Sequence, residues 1–113
     1  MIFAVATDEN TLFVFATIAE AIAYCEGIDV EDGGWIFWDD VGDALSAEFL
    51  TPNHPSRFAV GGGTYRLTQA TDKPTLTESI AAIRHIDGNP HFATLSAVQE
   101  HLATAVQVSQ HGA

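Results

Sequence analysis

Eight carboxylates crowd the stretch from Glu26 to Glu48: Glu26, Asp29, Glu31, Asp32, Asp39, Asp40, Asp43 and Glu48. Residues 1–48 hold no lysine or arginine, so the formal net charge of -11 arises entirely there. The four bases, Arg57, Arg66, Lys73 and Arg84, lie further on, where Asp72, Glu78, Asp87 and Glu100 balance them. Like charges this dense repel one another within a Debye length of roughly 8 Å and oppose the compact state. Carboxylates in such numbers can hold a metal cation, exchange protons, or meet a cationic macromolecular surface. A solvated face that favours solubility is the plainest reading. A halophilic surface would spread its acids over the whole chain, and here the second half is neutral.

The metal and acid–base readings find little support in the spacing. Asp29-Val30-Glu31-Asp32-Gly33 resembles a calcium loop, which needs oxygen ligands at positions 1, 3 and 5, glycine at 6 and a bidentate glutamate at 12. Counted from Asp29, position 5 is Gly33 and position 12 is the shorter Asp40. The five histidines, His54, His85, His91, His101 and His111, are scattered and have no cysteine cluster beside them. Paired carboxylates do acid–base work only where their environments push two pKa values apart. No GxSxG, Walker A or GxGxxG pattern occurs, and Gly61-Gly62-Gly63 lacks the lysine and helix of a phosphate loop. Cys25, on the apolar stripe of a helix, reads as a small buried residue. No enzyme, metal or other cofactor is expected.

Protein binding keeps positive support. Carboxylates can occupy the places where phosphates lie in a basic nuclease site, and complementary charge speeds encounter. Asp29, Glu31, Asp32, Asp39, Asp40 and Asp43 are the candidate contacts, forming one continuous exterior patch. Trp38, beside Asp39 and Asp40, is the candidate aromatic anchor. A core position is its competing reading, because Trp35-Ile36-Phe37-Trp38 carries large groups on both faces. Acidity argues against nucleic acid and anionic lipid as partners. Strong like charge on one face disfavours self-association, so the free chain is expected to be a monomer.

The elements that position these residues read as a single α+β domain spanning residues 1–113, with 47% apolar residues for a core. Met1–Ala6 and Leu12–Ala16 are β-prone and read as a hairpin around Asp8-Glu9-Asn10. Thr17 with Glu20 opens a helix whose Ile18, Ala21, Ile22 and Cys25 share one stripe, and Gly27 reads as its C-cap. Asp29–Gly34 reads as a turn. Trp35–Trp38 and Leu45–Phe49 form a hairpin around Asp39–Asp43. Phe58–Val60 and Tyr65–Leu67 add strands, with Pro52 and Pro55 bracketing the loop before them. Thr75 with Glu78 caps a helix carrying Leu76, Ile80 and Ile83, which Asp87-Gly88-Asn89-Pro90 stops. Leu95, Val98, Leu102 and Val106 mark a last helix that starts near Thr94 or Ser96. The order ββαβββαα predicts one antiparallel sheet of about five strands with helices mainly on one face. No apolar run reaches a membrane span and no basic leader precedes the first strand. One cysteine allows no internal disulfide, so a reducing cytoplasm is the expected compartment.

Phe15-Ala16-Thr17, Glu20 to Gly33, Trp35-Ile36-Phe37-Trp38-Asp39 and Gly63-Thr64-Tyr65-Arg66-Leu67 together resemble small bacterial immunity proteins of contact-dependent growth inhibition and related polymorphic toxin systems. The resemblance covers residues 15 to about 70. It implies a cytosolic, non-enzymatic protein made beside its toxin gene, binding one toxin C-terminal domain tightly. Such toxins are often nucleases, and no binding residues carry over from the family. Two other readings remain: a small-molecule- or metal-responsive binding domain, and a nucleic-acid mimic that blocks a DNA-binding protein.

Overall fold

The computed structural model describes residues 1–51, 54–55, 60–61 and 64–111. β1 (Ile2–Ala6) is buried at every residue because it lies inside a six-stranded sheet with packed layers on both faces. Ile2 and Ala4 turn to one face, Phe3 and Val5 to the other. β2 (Thr11–Phe15) and β3 (Trp35–Trp38) flank it, both antiparallel, with Ala4 opposite Phe13 on one side and Phe37 on the other. β4 (Ala44–Phe49) pairs with β3. A two-residue ladder joins β5 (His54–Pro55) and β6 (Val60–Gly61) in a separate small sheet. β7 (Tyr65–Gln69) closes one edge beside β4, and β8 (His85–Ile86) closes the other beside β2, giving the order β7-β4-β3-β1-β2-β8. The expected strand at Phe58–Val60 and the turn at Gly61–Gly63 fall largely outside the described residues, as does Arg57.

The sheet departs from the expected one in two ways. It is mixed, because β8 runs parallel to β2. Its helices cover both faces. On one face α1 (Ile18–Tyr24) and α2 (Gly27–Glu31) bring Ala21 and Val30 against Ile2, Ala4, Phe37, Leu45 and Tyr65. On the other, α3 (Leu76–Ser79), the 3₁₀ turn Ile80–Ala82 and α4 (Leu95–His111) bring Leu76, Ile80, Val98 and Leu102 against Phe3, Val5, Leu12 and Trp38. Apolar groups on both faces of β1 and β3 demand two covers, since each buried methylene contributes about 0.8 kcal/mol. Among the described residues, no helix is long and apolar enough to cross a membrane.

Local capping sets the helix starts. The Thr17 hydroxyl accepts the Glu20 N–H at 3.1 Å, and the Glu20 carboxylate reaches back to the Ala16 N–H. Thr75 and Glu78 form a reciprocal capping box, and these hydrogen bonds hold the Glu78 carboxyl below its ordinary pKa. The Thr94 hydroxyl accepts the Ala97 N–H at the start of α4. Helix ends were less legible. α1 stops at Tyr24, and Gly27 is the buried first residue of α2 instead of a C-cap. The helix at Leu76 gives way to extended backbone at Ile83, because the next residues gain backbone bonds to β2 and the residue before it: Arg84 N–H to the Asn10 carbonyl and Asp87 N–H to the Leu12 carbonyl.

Candidate functional site

The structure divides the acidic stretch between the two ends of β3. Three residue steps along that strand span about 10 Å, beyond the roughly 8 Å Debye length. The expected continuous patch is therefore two separate groups. Asp39, Asp40 and Asp43 occupy the β3–β4 turn. Asp29 and Asp32 occupy α2 and the turn after it, at the other end.

In the β3–β4 turn, Asp39 is committed to the fold. Its Oδ1 accepts the N–H groups of Val41 and Asp43 at 3.1 and 2.9 Å, and its Oδ2 accepts from Gln69 Nε2 at 3.2 Å. Gly42 supplies the left-handed residue of this turn, with φ of 90°. The carbonyl of Asp40 accepts from His101 Nε2 at 2.7 Å, so α4 braces the turn through backbone and leaves the Asp40 side chain exposed. Trp38 is not an exposed anchor. It is 2% exposed, packs with Phe3, Leu76 and Leu102, and donates its indole N–H to the Pro74 carbonyl at 3.0 Å. Its face of β3 lies under α3 and α4, which is why its ring meets no solvent.

At the other end, two turns are stitched together. Thr7 donates its N–H to the Gly34 carbonyl at 3.0 Å and its hydroxyl to the Gly33 carbonyl at 2.8 Å. Gly33 has φ of 81°, and a Cβ on Gly34 would stand 2.9 Å from the Asp29 carbonyl oxygen, so the tight turn needs both glycines. This stitching brings Asp8 and Glu9 of the β1–β2 turn to the same cleft as Asp29 and Asp32. Sequence reasoning missed Asp8 and Glu9 as site residues. The signal was the pairing of two apolar strands, Ala6 opposite Trp35, which sets residue 8 beside the segment preceding β3.

Between these carboxylates lies an open cleft of about 530 Å³, lined by Phe13, Tyr24 and Trp35 and floored by Ala6. Its walls come from β2, α1 and β3. Alanines at positions 4 and 6 of the intervening β1 leave room for large rings to meet above it. Phe13 and Trp35 are edge-to-face with centroids 5.2 Å apart, Tyr24 and Trp35 likewise at 5.9 Å, and Phe13 and Tyr24 at 5.5 Å. Tyr24 remains 57% exposed. Among the described residues no lysine or arginine lines the cleft. Among the described residues the basic side chains with a polar contact lie elsewhere: Arg66 pairs with Glu48 at 2.8 Å, and Lys73 reaches Ser46. Glu31 lines a smaller hollow of about 260 Å³ on the far side of Trp35, shared with Lys73.

Cys25 is fully buried behind this cleft. Burial, then the nearby Asp29 charge, push its thiol up to about 12, so it stays protonated and unreactive. Its carbonyl accepts the Tyr65 hydroxyl at 2.6 Å, and burial followed by the neighbouring Cys25 raises that phenol's pKa as well. Among the described residues, no three of His, Cys, Asp and Glu group as metal ligands. The arrangement sets one exposed ring, Tyr24, and two half-buried ones, Phe13 and Trp35, in a cleft shared with four acidic residues. No protein-family model, curated protein or solved structure matches the chain.

Proposed function

We propose that this chain is an immunity protein, one that binds and neutralises a cognate bacterial toxin domain carrying a basic active site or exosite. The single observation that carries the reading is the cleft end, where Asp8, Glu9, Asp29 and Asp32 rim an aromatic surface that, among the described residues, no basic side chain lines. Among the described residues these carboxylates have no basic partner and Tyr24 is 57% exposed, and both self-repulsion and exposed apolar area weaken the isolated fold. Both costs disappear when a cationic surface covers them. Charge complementarity sets encounter rate and orientation, and aromatic groups at the centre of a patch supply most of the binding energy. On this reading the interface is centred on Asp29 and Asp32 with Asp8 and Glu9, and Asp39 serves the turn at the opposite end. The protein acts in the cytoplasm as a monomer until it meets its toxin, and performs no catalysis.

The test is binding to the cytotoxic C-terminal domain encoded beside this chain's gene. Affinity should fall by at least tenfold between 50 and 500 mM salt, because several exposed charge contacts are screened together. The double variant D29N/D32N should weaken the complex and abolish protection of cells expressing the toxin. Where one of these carboxylates is buried against a toxin base, its removal costs about 2–5 kcal/mol. An affinity indifferent to salt and to both aspartates would refute the proposal. Stabilisation of the free protein by a neutral metabolite, with no binding of basic domains, would favour the small-molecule reading instead.

A further inference from the structure

We infer that the aromatic cleft between α1, α2 and the β1–β2 turn is a receptor for one arginine side chain projecting from a basic partner protein. The inference rests on the inhibitor reading only for the partner's identity; the cleft's preference for a guanidinium stands on its own chemistry.

Three rings from three different elements, Phe13, Tyr24 and Trp35, meet pairwise within 6 Å, and two of the three contacts are edge-to-face. Ring faces are electron-rich, and a cation placed over them is attracted by the ring quadrupole. Acidic residues reach it from two segments: Asp8 and Glu9 from the β1–β2 turn, Asp29 and Asp32 from α2 and the turn after it. An anionic ligand would be repelled. A neutral apolar ligand would cover the rings and desolvate the carboxylates without pairing them. A cation satisfies both surfaces at once.

Among cations, the geometry favours a guanidinium over an ammonium. Guanidinium is planar and weakly hydrated, so it stacks on an aromatic face while its N–H groups fork to carboxylates at its edge. An ammonium keeps a stronger hydration shell and makes no fork. A metal ion has no use for the rings and finds no grouped ligand set among the described residues. The cleft is open along its length, which suits a side chain delivered from another surface more than an enclosed small molecule.

The test uses the intact, isotope-labelled chain and three peptides: N-acetyl-Gly-Arg-Gly-amide, its lysine counterpart and its citrulline counterpart, the last neutral but nearly isosteric with arginine. The arginine peptide should shift the Trp35 indole N–H and the amides of Tyr24, Gly33 and Gly34 saturably. Lysine should bind about threefold or more weakly, and citrulline should give no saturable shift. Tyr24→Ala, at a position 57% exposed and with folding checked by circular dichroism, should weaken arginine binding about threefold to tenfold. D29N/D32N should do at least as much. D40N/D43N removes the same charge from the distal turn and should change nothing. Equal binding of citrulline, or equal loss from the cleft and distal double variants, would overturn the inference. A salt-sensitive toxin complex untouched by Tyr24→Ala would remove the cleft while leaving the inhibitor reading in place. Saturable arginine binding without capture of any basic toxin domain would do the reverse.

Discussion

Asp39 and Asp40 are adjacent acids in one turn, yet their replacement by alanine should have very different consequences. Asp39 accepts two backbone N–H groups and one side-chain amide. Loss of a comparable side-chain cap costs about 0.5–2 kcal/mol, and hydrogen bonds to charged groups reach about 1.5–3 kcal/mol each when shielded. The turn is open to water, which can replace part of what is lost, so Asp39→Ala should cost about 2 kcal/mol. An unfolding entropy of about 2.1 cal/mol/K per residue is roughly 0.24 kcal/mol/K for 113 residues, which converts this loss to a fall in Tm of about 8 °C. Asp40 contributes through its backbone carbonyl to His101, which survives Asp40→Ala. That variant should stay within about 0.5 kcal/mol, or about 2 °C, of wild type. Thermal unfolding followed by circular dichroism, at low and high salt, measures both. Asp39→Asn keeps one acceptor oxygen and should recover part of the loss at either salt concentration. Equal Tm values for the two alanine variants would refute the assignment of Asp39 to the fold.

Gly42→Ala should cost about 2–4 kcal/mol, from a strained positive φ together with a Cβ only 2.9 Å from Leu102 Cδ2. Urea unfolding should show a smaller loss when the same change is made in a Leu102→Ala background; an unchanged loss would mean that the contact with α4 is unimportant. Stability should fall as pH rises above 9. The unfolded Cys25 thiol ionises near 9.0 and the folded one only near about 12, so the folded state holds more protons in that window and is disfavoured by raising pH. The slope from this one group reaches about 1.4 kcal/mol per pH unit, Tyr65 adds to it with the same sign at higher pH, and Cys25→Ala should flatten it between pH 9 and 10. A native thiol that reacts with an aromatic disulfide reagent at pH 8 as fast as the urea-unfolded chain would contradict the burial of Cys25.

Most of the helix starts and the central hairpin were legible because their causes are local. A threonine followed three residues later by glutamate satisfies backbone donors within one turn, so Thr17 and Thr75 could be read directly. The alternation in Leu45, Ala47 and Phe49 likewise marked a strand with one buried face. The edge strand at His85–Ile86 carried no such mark. Two residues show no periodicity, and their strand character comes from the exposed edge of β2 that they complete. The break between α1 and α2 was hidden for a related reason. Gly27 looks the same as a C-cap or as a buried helix start, and the close packing of α2 beneath β3 selects the second.

Composition and order alone determined that the protein is acidic in one half, α+β, and without a basic surface in its first 48 residues. They could not determine that this charge is parted by β3, that Trp38 faces inward, or that Asp8 and Glu9 join Asp29 and Asp32 around the aromatic cleft. Those outcomes depend on which strands pair and in what register, and register follows from burying both faces of β1 at once. Charge is a property of each residue and can be counted along the chain. The neighbourhood of a charge is decided by apolar contacts made far away in sequence.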